Sequence, residues 1–205
     1  MNLNIIYNPE FEVKRLESAI QRLDWYLENG YPVDFVSIPN NLDRSKLKEY
    51  STNEIIDAVK VEYEDDAFKK NAEHLQKEWV RIYEEINNVF TKCNLKIEAE
   101  YYVFFTKYGS GGSYHWPDKI FIKISQRVNL IRTVIHEIVH LAIQKYIEKY
   151  NTPHWTKERI VDLFCLHCFP NDQFKMQNQK ADMSKVDKAF HKHFPNIETI
   201  IKNVS

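Results

Sequence analysis

The stretch RTVIHEIVHLAIQ runs from Arg132 to Gln144 and contains the pattern HExxH at His136-Glu137-Ile138-Val139-His140. On a helix, positions i and i+4 lie one turn apart on the same face, so both imidazoles can reach one Zn²⁺ at ~2.0–2.1 Å. Glu137 is displaced about 100° from His136, which sets it beside the metal's open position, where it can act on a bound water. Val134, Ile135, Ile138, Val139 and Leu141 make the helix apolar nearly all round, the mark of a buried central helix. Two histidines and a glutamate are expensive to bury in such a helix without partners, and a metal removes that cost.

Working outward, the spacing predicts a helix from about Arg127 to Tyr150, a break at Asn151-Thr152-Pro153 and a second helix from about Trp155 to Phe169. Upstream, Leu95 to Thr106 (LKIEAEYYVFFT) and Lys119 to Ser125 (KIFIKIS) read as strands. Three of the four glycines in the chain, Gly109, Gly111 and Gly112, fall between them. That cluster reads either as a tight hairpin or as bare backbone beside an edge strand, where an extended peptide could pair. No helix opens directly after it, so it is not a phosphate-binding fingerprint.

The first ninety residues read as helical. Asn8-Pro9 is an N-cap with proline at the first helical position, and a stripe of Val13, Leu16, Ile20, Leu23 and Leu27 predicts one helix closed by Gly30. Tyr31 to Tyr50 reads mostly as loop. Helices follow over Thr52–Tyr63 and, with a stripe of Phe68, Ala72, Leu75, Trp79, Ile82, Ile86 and Val89, over Asp65–Phe90. After the HExxH region comes a polar loop near residues 171–182, then short helices around Lys185–Phe194 and Asn196–Asn203. The expected fold is a helix-rich α+β domain with a small mixed sheet and a central HExxH helix. Its expected parts are a helical region, 1–94, packed on a catalytic region, 95–205.

A catalytic zinc site of this kind needs a third protein ligand. Residues Thr152 to Phe164 (TPHWTKERIVDLF) offer Glu158 and Asp162, an i, i+4 pair, and also His154. HEIVH, then Pro153, Trp155, Glu158 and Asp162, with 17 residues between His140 and Glu158, resemble the peptidase MA-like gluzincins, whose second helix follows a pattern similar to P-x-W-x-x-E-G-x-x-[DE]. The resemblance covers about residues 95–169. It implies a zinc-dependent peptidase in which Glu158 completes the ligand set with His136 and His140, Asp162 orients a histidine ligand, and Glu137 is the general base. Arg159 stands where the pattern commonly has Gly. It further implies a His or Tyr that stabilises the oxyanion, for which His191, His193, Tyr114, Tyr108 and His115 compete. His154, fourteen residues after His140, is the rival third ligand, as in SprT-like proteases.

Composition narrows the alternatives. Lys plus Arg number 28 against 29 Asp plus Glu, and a net charge of -1 argues against a nucleic-acid or anionic-membrane surface. No apolar run approaches the ~18 residues of a membrane span, and the N-terminus lacks the pattern of a signal peptide, so a cytoplasmic location is expected. Three cysteines, Cys93, Cys165 and Cys168, are too few for a disulfide scaffold, and C-L-H-C alone does not make a zinc ribbon, so Cys165 and Cys168 read as small core residues. The resulting expectation is a zinc metallohydrolase acting on a peptide or protein. A zinc-binding interaction module without peptidase activity is the alternative.

Overall fold

Strand β2 (Glu100–Thr106) shows why the sheet forms where it does. Its alternation turns Tyr101, Val103 and Phe105 to one face, where all three are buried. Phe104 points the other way and stacks on Phe11 at 4.5 Å between ring centroids and on Phe121 at 5.2 Å. A strand apolar on both faces needs cover on both. Helix α1 (Pro9–Gln21) supplies it on the Phe104 side, and the helices described below supply it on the other. The structure, a computed structural model, describes residues 1–124, 129–170, 174–177 and 181–205. The expected strand end at Ser125, the helix start at Arg127 and parts of the loop at 171–182 lie outside the described residues.

The sheet has four strands in the order β1-β2-β4-β3. β1 (Asn2–Ile6) runs parallel to β2, and β2 runs parallel to β4 (Lys119–Lys123). β3 (Gly112–His115) lies antiparallel to β4 at the edge. The glycine cluster is therefore not a hairpin between the two expected strands, because those strands are parallel neighbours. The chain leaves β2 through Gly109 and Gly111, forms the edge strand, and turns back into β4 at Trp116-Pro117-Asp118. β1 and β3 were both absent from the sequence-based expectation. The single helix expected up to Gly30 is also corrected. Arg22 has φ -94 and ψ 5, and the helix breaks there into α1 and α2 (Leu23–Glu28).

The remaining elements follow the pattern closely. α3 (Thr52–Glu62) opens on a reciprocal capping box of Ser51 and Glu54. α4 (Asp65–Lys92) buries Phe68, Leu75, Trp79, Ile86 and Phe90. α5 (Leu130–Lys149) is the central helix, and it packs on α4, β3 and β4. α6 (His154–Cys168) lies against α5, and α7 (Ser184–His193) and α8 (Ile197–Val204) close that side. Arg159, the departure from the gluzincin pattern, ties α6 to α7 through two bonds of 2.7 Å to Asp187. Residues 1–94 contribute β1 to the sheet and α4 to the same core as α5, so position 94 is no seam in the packing. Among the described residues, no helix is long and apolar enough to cross a membrane.

Candidate metal centre

α5 carries His136 and His140 one turn apart, and their Nε2 atoms lie 3.1 Å from each other. The chain then reverses through Asn151, which adopts the left-handed conformation at φ 49, and Pro153 starts α6. One turn into α6, the Glu158 Oε2 atom lies 3.3 Å from His140 Nε2 and 3.6 Å from His136 Nε2. A tetrahedral ion with bonds of about 2.0–2.1 Å sets its ligand atoms roughly 3.3–3.4 Å apart. The three observed separations bracket that edge, so the donor set fits a zinc-sized cation. Among the described residues, this is the one group of His, Cys, Asp and Glu that could hold a metal.

The electrostatics suit the same purpose. Burial pushes the His140 imidazole down to about 4, which keeps it neutral, the form in which imidazole binds a metal. Its Nδ1 atom is buried with no hydrogen-bond partner. Burial acts against ionisation of Glu158, but His140, hydrogen bonds to both imidazoles and Lys157 hold it well below the usual carboxylate range. His136 is also opposed by burial, yet bonding to Cys165 and Glu158 raises it. Glu137 does not belong to the converging trio. It is 5 % exposed, and burial raises its carboxyl to about 7.

Gly112 explains how Glu137 is housed. A Cβ at that position would overlap Glu137 Oε1 and lie 2.8 Å from Thr133 Cγ2, so the edge strand can pass over the carboxylate only as bare backbone. Gly109, at φ 84, packs instead on the Arg15 guanidinium, while a Cβ at Gly111 would meet nothing within 4 Å.

Around the trio, Asp162 Oδ1 stands 3.9 Å from His136 Nδ1, too far for a direct hydrogen bond. Its Oδ2 accepts a bond of 2.7 Å from the Gln177 backbone N–H. The Cys165 thiol, expected only as core, is buried and acts on His136, raising it together with Glu158. The Gln177 side-chain amide donates to Glu158 Oε2 at 3.2 Å. Tyr114, on β3, stacks on His140 with ring centroids 4.9 Å apart and donates to Gln144 Oε1 at 2.7 Å. Lys157 Nζ lies 3.3 Å from both Tyr114 Oη and Glu158 Oε1.

Of the other candidates, His154 lies beside the trio, not in it. Its Nδ1 is 3.8 Å from Glu158 Oε1, and its Nε2 is 3.1 Å from the Tyr31 hydroxyl. His115 is exposed on the cleft. His191 is exposed on α7, and neither it nor His193 lines the cleft. Tyr108 is buried and bonds Glu62.

These groups line a cleft of about 730 Å³ that also takes in Trp25, Tyr31 and Phe35 from the N-terminal region. Sequence reasoning missed Lys157, Gln177 and that aromatic wall. For Lys157 the only signal was its place next to Glu158, and for the others no local pattern existed. The chain matches no family model, no curated protein and no solved structure.

Proposed function

We propose that the protein is a zinc-dependent metallohydrolase of the gluzincin type that cleaves peptide bonds. The observation carrying this reading is the convergence of His136, His140 and Glu158 in one cleft with an uncommitted Glu137 beside them. His136, His140 and Glu158 would hold the ion. Zinc, when bound, supplies Lewis acidity, which polarises a carbonyl and brings the pKa of water toward ~7. Glu137, with its carboxyl near 7, takes the proton from the attacking water and returns it to the leaving amine. Asp162 anchors the Gln177 backbone, the Gln177 amide holds Glu158, and Cys165 supports His136. The Lys157 ammonium, and the Tyr114 hydroxyl once it turns from Gln144, meet the charge that develops on the carbonyl oxygen.

The edge strand gives the peptide reading its support. Among the described residues β3 pairs with β4 on one side only, and Gly111 and Gly112 leave its backbone unscreened beside Glu137. An extended peptide laid along that edge would gain main-chain hydrogen bonds and bring a peptide carbonyl to the base. The test is metal analysis of protein purified without added zinc, then cleavage of a peptide library with and without chelator. About one zinc per chain and chelator-sensitive cleavage are expected. Bound zinc with no cleavage of any peptide, in a chain whose function survives Glu137→Gln, would favour the interaction module.

A further inference from the structure

Two of the four tryptophans are exposed, Trp25 at 42 % and Trp116 at 60 %, and both line the cleft that holds His136, His140 and Glu158. Scattered exposed apolar residues need no explanation, but two tryptophans on one cleft mark a surface made to be covered. Trp25 is the outer member of a wall. Its ring lies 6.2 Å from Tyr31 at an interplanar angle of 28°, and Tyr31 lies 4.4 Å from Phe35. The hydroxyl of Tyr31 meets His154 Nε2 at 3.1 Å, which fixes the wall to α6 one turn before Glu158.

The charges on the same cleft point to the rest of the occupant. Arg22, Arg132 and Lys175 line it, and among the described residues none is paired with a carboxylate. Arg132 lies over the Phe174 ring at 5.5 Å, and its Nε is buried with no hydrogen-bond partner. Of the cleft's carboxylates, Glu137, Glu158 and Asp162 belong to the centre, and Glu148 keeps its charge, since its bond comes from the neutral Gln144 amide. Outside the centre, three cations therefore face one carboxylate, an excess of positive charge on the cleft.

We propose that the cleft selects an acidic peptide bearing an aromatic residue, whose ring seats against Trp25, Tyr31 and Phe35 while flanking carboxylates meet Arg22, Arg132 and Lys175. This selectivity rests on the peptidase reading and gives it a substrate class. It also gives the N-terminal region a task, since Arg22, Trp25, Tyr31 and Phe35 all come from it. A ring buried against an aromatic wall is worth roughly ten- to hundredfold in affinity over a methyl group.

The experiment uses the full chain carrying Glu137→Gln, so that probes are bound and not cut. Four fluorescein-labelled octapeptides carry Phe or Ala at the centre and Glu or Lys on both sides, and binding is read by anisotropy. The Phe/Glu peptide should bind at least tenfold more tightly than the Ala/Glu and Phe/Lys peptides, and the Glu-over-Lys gap should narrow with added salt. Trp25→Ala should abolish the preference for Phe while zinc content stays unchanged. Equal binding of all four peptides, tighter binding of the Lys peptides, or a Phe preference that survives Trp25→Ala would overturn the proposal. Selective binding without cleavage by the parent chain would sink the hydrolase reading alone. Cleavage with no aromatic or acidic preference would sink the cleft selectivity alone.

Discussion

Replacing Gly112 by alanine isolates the contact between the edge strand and Glu137. The added Cβ would stand 2.8 Å from Thr133 Cγ2 and overlap Glu137 Oε1. Ordinary contact begins near 3.4 Å, so Thr133 must yield by about 0.6 Å and the carboxylate by more. Glu137 is 5 % exposed and Thr133 sits on the same helix, so neither has an easy escape. Overpacking of this kind costs about 1–3 kcal/mol, which for a chain of this size lowers Tm by roughly 2–4 °C per kcal/mol. Gly111→Ala is the matched control, because its Cβ would meet nothing within 4 Å and its φ is not left-handed. It should be neutral or gain a few tenths of a kcal/mol from a stiffer unfolded chain. Thermal and urea unfolding of both variants reads the difference directly, with no substrate required. The Gly112→Ala cost should shrink in a Glu137→Ala background, where the clashing carboxylate is gone. Equal stability of the two alanine variants, or an undiminished cost in the double variant, would refute the claim that glycine is there to make room for Glu137.

Further outcomes follow from the same geometry. His136→Ala, His140→Ala and Glu158→Ala should each lose zinc, measured by elemental analysis, while His154→Ala should keep it; loss on His154→Ala with retention on Glu158→Ala would move the site to a three-histidine set. Asp162→Ala should weaken zinc binding by about 10–100-fold, measured by competition with a chromogenic chelator. Glu137→Gln should retain zinc and fold while turnover falls by about 10²–10⁴-fold on any peptide the parent cleaves. Away from the centre, burial raises Glu12 from 4.5 to about 7, so the folded chain holds a proton there that the unfolded chain releases. That contribution is complete below pH 4.5 and is lost as pH rises through 7, a decline of about 3 kcal/mol at 1.36 kcal/mol per unit. Glu12→Gln should remove the decline, so urea unfolding at pH 5 and pH 8 should show the variant gaining on the parent as pH rises.

The parts that could be read from the sequence are those fixed by local spacing. His136 and His140 share a helical face by periodicity alone, and Glu158 and Asp162 repeat the same relation on α6. The long stripe on α4 and the cap at Asn8 are equally local. What escaped depends on distant partners. β1 has five residues, and its pairing comes from residues 100–104. β3 has four residues, begins with glycine, and is a strand only because β4 lies beside it. The break at Arg22 carries neither proline nor glycine. Trp25, Tyr31 and Phe35 lie on a short helix and a loop with no periodicity to relate them to His154, more than a hundred residues further on.

The glycines show how far such a reading reaches and where packing must finish it. Their crowding between the strands marked the segment, but composition gives all three the same weight. Gly109 needs its positive φ and lies against Arg15; Gly112 needs the absence of a Cβ over Glu137; Gly111 needs neither. Two of the three therefore connect the edge strand to charged groups on different helices, Arg15 on α1 and Glu137 on α5. Ser110 between them accepts a bond from Arg15 at 3.1 Å and another from the Tyr26 hydroxyl at 3.2 Å, so this loop is held from the N-terminal side. Glu137 is thus positioned by its own helix, by the strand laid over it and, through that strand's loop, by α1 and α2. The N-terminal helices thereby help set the backbone against which Glu137 is packed.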